Sequence, residues 1–202
     1  MLNQICPLNL GETMPGTDAD GNLINATWLG QVFELPATPV DNTQIRGSKK
    51  RLVGRTVKVV LLRNESGITL YGKRLAALTA TAGYSLLTSV SGYSAANSQK
   101  NVVAIDQYLE TTGVADDDIF LGIIEGPTII KTQQTPDATS VIAVGAKLVA
   151  GTGAASSQNS LAGGVAADTT PGVDEFIATA LSARTTANTN TDLLVNVKIL
   201  TI

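Results

Sequence analysis

The chain of 202 residues contains no histidine and a single cysteine, and both absences limit the catalytic, metal and disulfide sites that it can form. Histidine is the side chain that most often serves as general base or transition-metal ligand near neutral pH. Ser-His-Asp catalysis, Cys-His catalysis and zinc chemistry are therefore excluded. The single Cys6 has no partner for an intramolecular disulfide, and we interpret it as a small apolar residue near the terminus.

Charged side chains are also scarce, at 15% of the residues, compared with about 25% in an ordinary soluble domain. Ala, Thr, Gly and Ser fill the difference. A weakly charged exterior solubilises a protein poorly, so we expect this chain to work inside an assembly rather than as a free cytosolic enzyme. No apolar run approaches the roughly 18 residues of a membrane span, and the first residues lack the features of a secretory signal.

Short β-branched runs separated by turn signals indicate an all-β fold, a compact sandwich or barrel-like domain over residues 51–202. Residues 1–50 hold four of the seven prolines, which predicts an extended N-terminal arm with one short strand at 31–35. The sequence then predicts a hairpin, with strands at 56–63 and 68–75 joined by a turn at 64–67.

The remaining chain alternates between strand candidates and long Gly/Ala/Ser/Thr loops. Residues 79–100 fit a long loop or weak edge strands, and residues 151–170 a flexible loop. Strands are expected at 102–105, at 119–130 with an interruption at Gly126-Pro127, at 141–150 and at 194–202, whereas 176–183 fits a helix or a strand. We find no convincing internal repeat in the sequence.

Charge is distributed unevenly along the chain. Residues 1–101 hold ten basic and six acidic side chains, and residues 102–202 hold four basic and eleven acidic ones. Most of the positive excess lies in one basic stretch, which consists of Arg46, Lys49, Lys50, Arg51, Arg55 and Lys58. This basic stretch is compatible either with binding to an acidic partner or with a solvent-exposed arm that binds nothing. The chain is acidic overall and has no aromatic residue between Phe33 and Tyr71, so we expect no nucleic-acid binding.

Residues 67–73 match the G-x-x-x-x-G-K spacing of a phosphate-binding loop. Arg74 stands where a Ser or Thr would ligate magnesium, and the intervening Ile-Thr-Leu-Tyr favours a strand. We therefore interpret Lys73 and Arg74 as the solvated end of a strand and expect no nucleotide cofactor.

Two acidic motifs are candidate cation-binding sites. Asp18, Asp20 and Asn22 resemble the start of a calcium loop, but Leu23 and Leu29 stand where Gly and Glu are required. The run 116–118 places three carboxylates next to one another, and neighbours in an extended chain point to opposite sides. We interpret both motifs as polar turns, and expect no metal and no catalytic residue.

Three segments of the second half resemble the head decoration proteins of tailed bacteriophages, also called capsid stabilising or cement proteins. They are Val103–Leu109, Thr112–Leu121 and Glu125–Thr132, with an acidic VD-x-x-L-like element, a GV-x-x-x-D turn into a strand, and an EGPT corner. The resemblance extends loosely over residues 30–200. It implies a β-rich trimer on the outside of the virion that clamps subunits of the major capsid protein, and that resides in the host cytoplasm during assembly.

Such a protein needs a rigid body and an adhesive surface but no enzymatic pocket and no small-molecule substrate. We place the capsid contact on the arm, and the candidates are Trp28, Phe33, Leu35, Arg46, Lys49, Lys50, Arg51, Arg55 and Lys58. Trp28 fits an anchor in the capsid equally well as a side chain folded back on its own β domain. The alternative function is a carbohydrate- or receptor-binding module of the virion surface, although the eight aromatic residues are dispersed.

Overall fold

The computed structural model describes residues 5–37, 55–80, 87–94, 101–132, 141–150, 164–167, 176–184 and 191–199. Within these ranges the secondary structure is almost entirely β, which confirms the predicted all-β class. The strands are β1 (Thr13–Pro15), β2 (Val32–Pro36), β3 (Thr56–Asn64), β4 (Leu75–Ala80), β5 (Leu87–Tyr93), β6 (Val102–Ile105), β7 (Asp118–Lys131), β8 (Lys147–Ala150), β9 (Val165–Ala167), β10 (Ala178–Ala180) and β11 (Asp192–Lys198). Two short 3₁₀ helices, Ala26–Trp28 and Gln107–Leu109, accompany them.

Strands β3 to β7 form a closed ring, which we call the first unit. Around the ring the order is β3, β5, β4, β6 and β7, and β7 pairs again with β3. All of these pairings are antiparallel except the parallel contact between β3 and β5. The first unit is therefore a small barrel, the second of the two predicted architectures.

The barrel closes because its strands alternate apolar side chains between two faces. Val60 and Leu62 of β3, Ile105 of β6 and Phe120 of β7 belong to one buried cluster inside the ring. Val59 and Leu61 of β3 belong to a second buried cluster on the outer face. Both faces of β3 are thus covered by other parts of the chain, which explains why the sequence of this strand is an almost continuous apolar run.

Strands β7 to β11 repeat the same arrangement, and we call them the second unit. The order β7, β9, β8, β10 and β11 matches the first unit strand by strand, with β7 now in the place of β3. The parallel contact recurs as well. Asn64 at the end of β3 pairs with Val90 of β5 in the first unit, and Thr132 after β7 bridges Val165 of β9 in the second. The two units therefore share β7.

The registers of the two units also correspond. In the first unit Leu62 pairs with Phe120, and the equivalent pair in the second unit is Ile130 with Leu193. Likewise, Ile105 pairs with Gly122 in the first unit and Ala180 pairs with Val195 in the second. Before each second strand, Leu70 bridges Val114 and Ile142 bridges Arg184. A left-handed residue follows three positions later in both units, Lys73 with φ 62° and Gly145 with φ 86°. The structure therefore contains a repeat that the sequence analysis did not find.

Strand β7 serves both units because it continues through Gly126-Pro127, where the sequence predicted an interruption. Gly126 has φ 109°, and a Cβ there would lie 2.8 Å from the carbonyl oxygen of Thr56. Pro127 remains in the ladder opposite Asn196 of β11. The glycine gives the backbone a conformation that L-residues rarely adopt, so the strand turns without ending.

Residues 5–37 lie along the outer face of the first unit. Strand β1 pairs with β7 and β2 pairs with β3, and β2 lies one residue later in the chain than the predicted strand at 31–35. Leu8, Leu10 and Leu29 belong to the same buried cluster as Val59 and Leu61. This part of the predicted arm thus contributes to the core, whereas the predicted domain boundary at residue 50 falls outside the described residues.

The predicted hairpin is wrong in its second strand. Residues 68–74 form no strand, and β4 pairs with β5 and β6 rather than with β3. Residues 79–100, predicted as a long loop or weak edge strands, contain the strand β5, which pairs on both sides within the first barrel and is therefore not an edge strand. Turn signals locate chain reversals, but the choice of partner strand depends on the core that several strands share.

Several other strand predictions are confirmed. Strand β6 coincides with the predicted 102–105, and β11 alternates buried Val195 and Val197 with exposed Asn196 and Lys198. The ambiguous segment 176–183 contains β10 and no helix among its described residues. Only the last four residues of the candidate at 141–150 form a strand, β8, and β9 lies within the predicted loop at 151–170.

Candidate functional site

The aromatic and apolar contact candidates face inward. The rings of Trp28 and Phe33 lie 6.5 Å apart, and Trp28 is half-buried against the outer core cluster. Phe33 is 9% exposed, and Leu35 is half-buried against the same cluster. Their strand instead presents Val32 and Glu34 to solvent. The packing of Trp28 follows the second of its two predicted alternatives, contact with its own β domain.

Two of the basic candidates lie on the outside of the same strand pair. Arg55 is exposed, and the Nζ of Lys58 donates to Glu125 on β7 over 2.6 Å. Glu125 holds the pKa of the Lys58 ammonium above its usual value through this hydrogen bond and its charge. Arg46, Lys49, Lys50 and Arg51 lie outside the described residues. The described candidates are therefore divided between two faces, with apolar side chains inward and basic ones outward.

A single turn, residues 106–108, ties three parts of the molecule together. The carboxylate of Asp106 accepts hydrogen bonds from the backbone N–H groups of Gly11 and Tyr108, at 2.5 and 3.1 Å. The side-chain oxygen of Gln107 accepts from the N–H of Ile129 on β7, and the Tyr108 hydroxyl donates to the carbonyl of Ala37. The turn therefore holds the amino-terminal segment at Gly11 and at Ala37, and it also holds the shared strand β7.

Burial strongly disfavours the ionised form of Asp106. The side chain has no exposed surface, and this desolvation raises the pKa of its carboxyl from 3.8 to about 6, although the two N–H donors oppose the shift. A perturbed acid in a cleft would be a catalytic candidate. Here both carboxylate oxygens are engaged by backbone donors, so the arrangement stabilises structure.

Residues 67–73, the phosphate-loop candidate, contribute to the interior of the first unit and contact the second unit through an ion pair. Leu70 is fully buried, and the ammonium of Lys73 contacts the carboxylates of Glu110 and Asp192. Glu110 in turn accepts from Lys131 over 2.9 Å. Burial disfavours the charge on Lys73, but the hydrogen bonds to Asp192 and Glu110 outweigh it and raise its pKa. The prediction of a solvated strand end is wrong for these residues, since Arg74 is also only 6% exposed.

The motif at 18–22 is a turn stabilised by its own side chain. The Oδ1 of Asp18 accepts from the backbone N–H groups of Asp20 and Asn22, which confirms the interpretation as a polar turn. In the run 116–118, each carboxylate has a separate donor, namely the N–H of Gly67, the guanidinium of Arg63 and the hydroxyl of Thr13. Within the described ranges no group of three potential ligands could hold a metal ion.

Sequence reasoning missed two kinds of residue. Asn64 is fully buried at the end of β3, and its amide donates to the carbonyls of Ile68, Val114 and Ala115. The sequence predicts only a turn at this position. It also predicts a strand that includes Val141 and Val144, which are exposed and lie in a loop beside Gly145.

No family model, curated protein or solved structure matches this chain. Among the described residues, no helix is long and apolar enough to cross a membrane.

Proposed function

We propose that this chain is a structural virion protein that binds the outer surface of a tailed-bacteriophage capsid as a trimer and stabilises the lattice of the major capsid protein. The proposed class of protein comes from the resemblance of residues 103–132 to head decoration proteins. The contacts of the folded chain support a structural role based on shape and adhesion.

The observation that carries the proposal is the use of the buried polar side chains. Asn64, Asp106 and Gln107 are at most 5% exposed, and each is hydrogen-bonded to backbone groups of a distant segment. Buried polar groups satisfied in this way make a fold rigid and specific. A protein that must bind a regular lattice many times benefits from such a body because little conformational entropy is lost on binding.

The contribution of residues 1–50 to capsid binding requires a test other than truncation. Deleting residues 1–50 would remove Leu8, Leu10 and Leu29 from the outer core and expose the apolar face of β3. Loss of binding by such a fragment would then report misfolding. Substitution within the basic stretch leaves Leu8, Leu10 and Leu29 in the chain.

The test uses the full chain and expanded heads that lack a decoration protein. We expect saturable co-sedimentation with the heads, a higher temperature of DNA release from the decorated heads, and a trimeric mass by analytical ultracentrifugation. A variant with Arg46, Lys49, Lys50 and Arg51 changed to Gln should bind more weakly at low salt. Lys147→Gln, an exposed change on β8 of the second unit, is the control away from the basic stretch.

Absence of binding at micromolar protein would contradict the proposal. Binding to a glycan array with no binding to heads would instead favour the carbohydrate-binding alternative.

A further inference from the structure

The two units differ at the turn that leads into their second strand. In the first unit this turn contains Gly72, which is buried, and in the second it contains Val144, which is 66% exposed. Both residues lie two positions after a bridge residue, Leu70 or Ile142, and immediately before a residue with positive φ. The same position of the fold is therefore covered in one unit and open in the other.

The cover in the first unit is a turn of the chain itself. The N–H of Gly72 donates to the carbonyl of Leu109 over 3.1 Å, and a Cβ on Gly72 would overlap the carbonyl oxygen of Asp106. Residues 106–110 thus lie directly on this glycine and leave no room for a larger side chain.

The second unit lacks this cover because its connection to the bridge is shorter. In the first unit, the bridge residue Val114 lies nine positions after Ile105, the end of β6. In the second unit, the bridge residue Arg184 lies four positions after Ala180, the end of β10. The difference equals the length of the covering turn, so the chain reaches the second bridge without forming it.

Residues 141–146, which we call the open loop, present an apolar surface with a fixed backbone. The open loop contains no charged residue, and its Val141 and Val144 are 59% and 66% exposed. Its turn is closed by the N–H of Ala146, which donates to the carbonyl of Ala143 over 3.1 Å. A loop that is already ordered loses little conformational entropy when a partner covers it.

The size and charge of the open loop decide which kind of partner fits it. A stable association between two proteins buries about 1,200–2,000 Å², and two valines of one loop provide only a small part of that area. The open loop is therefore too small to hold two copies of this chain together by itself, whereas it suits one contact within a broad capsid interface. The surface that covers it is uncharged, because a charge buried against valine loses its hydration without gaining a partner.

We propose that an uncharged apolar loop of the major capsid protein covers the open loop and completes the second unit, as residues 106–110 complete the first. The inference rests on the proposed function and adds to it a contact region, Val141 and Val144, and the chemistry of the surface that it binds. The first unit supports this assignment, since there the same position of the fold is covered by polypeptide.

The test compares full-length variants on undecorated expanded heads at low and at physiological salt. Val141→Thr with Val144→Thr weakens the open loop and keeps the β-branched shape of both side chains. Val32→Thr on β2, whose parent side chain is 50% exposed, is the matched control outside the loop. The Gln variant of the basic stretch supplies the electrostatic comparison, and unfolding temperatures identify any variant that has lost its fold.

We expect the open-loop variant to lower the apparent affinity for heads by about tenfold at both salt concentrations, because salt does not screen an apolar contact. The control should stay within about twofold of the parent. Parent affinity in the open-loop variant, or a loss that disappears at physiological salt, would overturn the inference while leaving the proposed function in place.

The mass of the open-loop variant in solution tests the identity of the partner. An unchanged mass supports the capsid subunit as the partner. A smaller mass than that of the parent would assign the open loop to a contact between copies of this chain and would overturn the inference. Failure of the unmodified protein to bind heads would overturn both the inference and the proposed function.

Discussion

Among the individual residues, Asp106 combines a carboxylate without exposed surface and a hydrogen bond to the amino-terminal segment. Burial raises the pKa of this carboxyl to about 6, so the folded protein holds a proton between about pH 6 and pH 4 that the unfolded chain has released. Its contribution to stability is therefore complete below pH 4 and is lost as the pH rises through 6. Tyr108 is the titratable neighbour whose charge interaction with Asp106 is resolved.

We expect the free energy of unfolding of the wild-type protein to rise by about 1 kcal/mol from pH 7 to pH 5 because of Asp106. The change should be smaller by that amount in Asp106→Asn, whose side chain does not titrate. Burial also raises the pKa of Asp118, but that contribution is common to both proteins and cancels in the comparison. Urea unfolding at the two pH values measures the difference, and equal pH dependence in both proteins would contradict it.

At the scale of elements, the two units fill equivalent interior positions with different volumes. Ile105 and Gly122 face each other in the first unit, where the second has Ala180 and Val195. A Cβ on Gly122 would lie 2.4 Å from Val103, so this glycine makes room for its large neighbours. The large and small residues have exchanged strands, which keeps each interior close-packed.

This exchange predicts a compensating pair of substitutions. Gly122→Ala should cost about 1–3 kcal/mol because the added methyl overlaps Val103. Val103→Ala should cost about 2 kcal/mol through the space it leaves. The double variant should be less destabilised than the sum of the two, as measured by chemical denaturation of all four proteins. Strict additivity would show that the methyl does not compete with Val103.

Considering the whole molecule, strand β10 of the second unit has smaller buried side chains than the corresponding β6 of the first. Ala178 and Ala180 of β10 correspond to Val103 and Ile105 of β6, and all four are fully buried. Less apolar area is removed from water along β10 than along β6, so we expect β10 to open locally at a lower free energy.

Hydrogen exchange offers a matched comparison of the two units. The N–H of Ile105 donates to the carbonyl of Arg74, and the N–H of Ala180 makes the equivalent bond to Ala146, at 2.8 and 2.9 Å. We expect the protection factor of Ala180 to be at least tenfold lower than that of Ile105. Equal protection would mean that both units open together through the strand they share.

The sequence alone determined the all-β class and the places of β6 and β11, because alternating apolar side chains and turn residues are local signals. It also determined the polar turn at 18–22, where one carboxylate binds its own neighbours. The same reasoning failed for 68–75, because strand partners are chosen by the core that distant strands build together.

Only the tertiary structure decided that Trp28 and Phe33 pack inward, that Asp106 holds Gly11, and that one barrel unit is used twice around β7. At the interior positions paired above, Leu62 and Phe120 correspond to Ile130 and Leu193, so the residue types at these positions differ between the two units. Strand order and register repeat because closing a five-stranded ring fixes backbone geometry, whereas a close-packed interior constrains only the summed volume of its side chains.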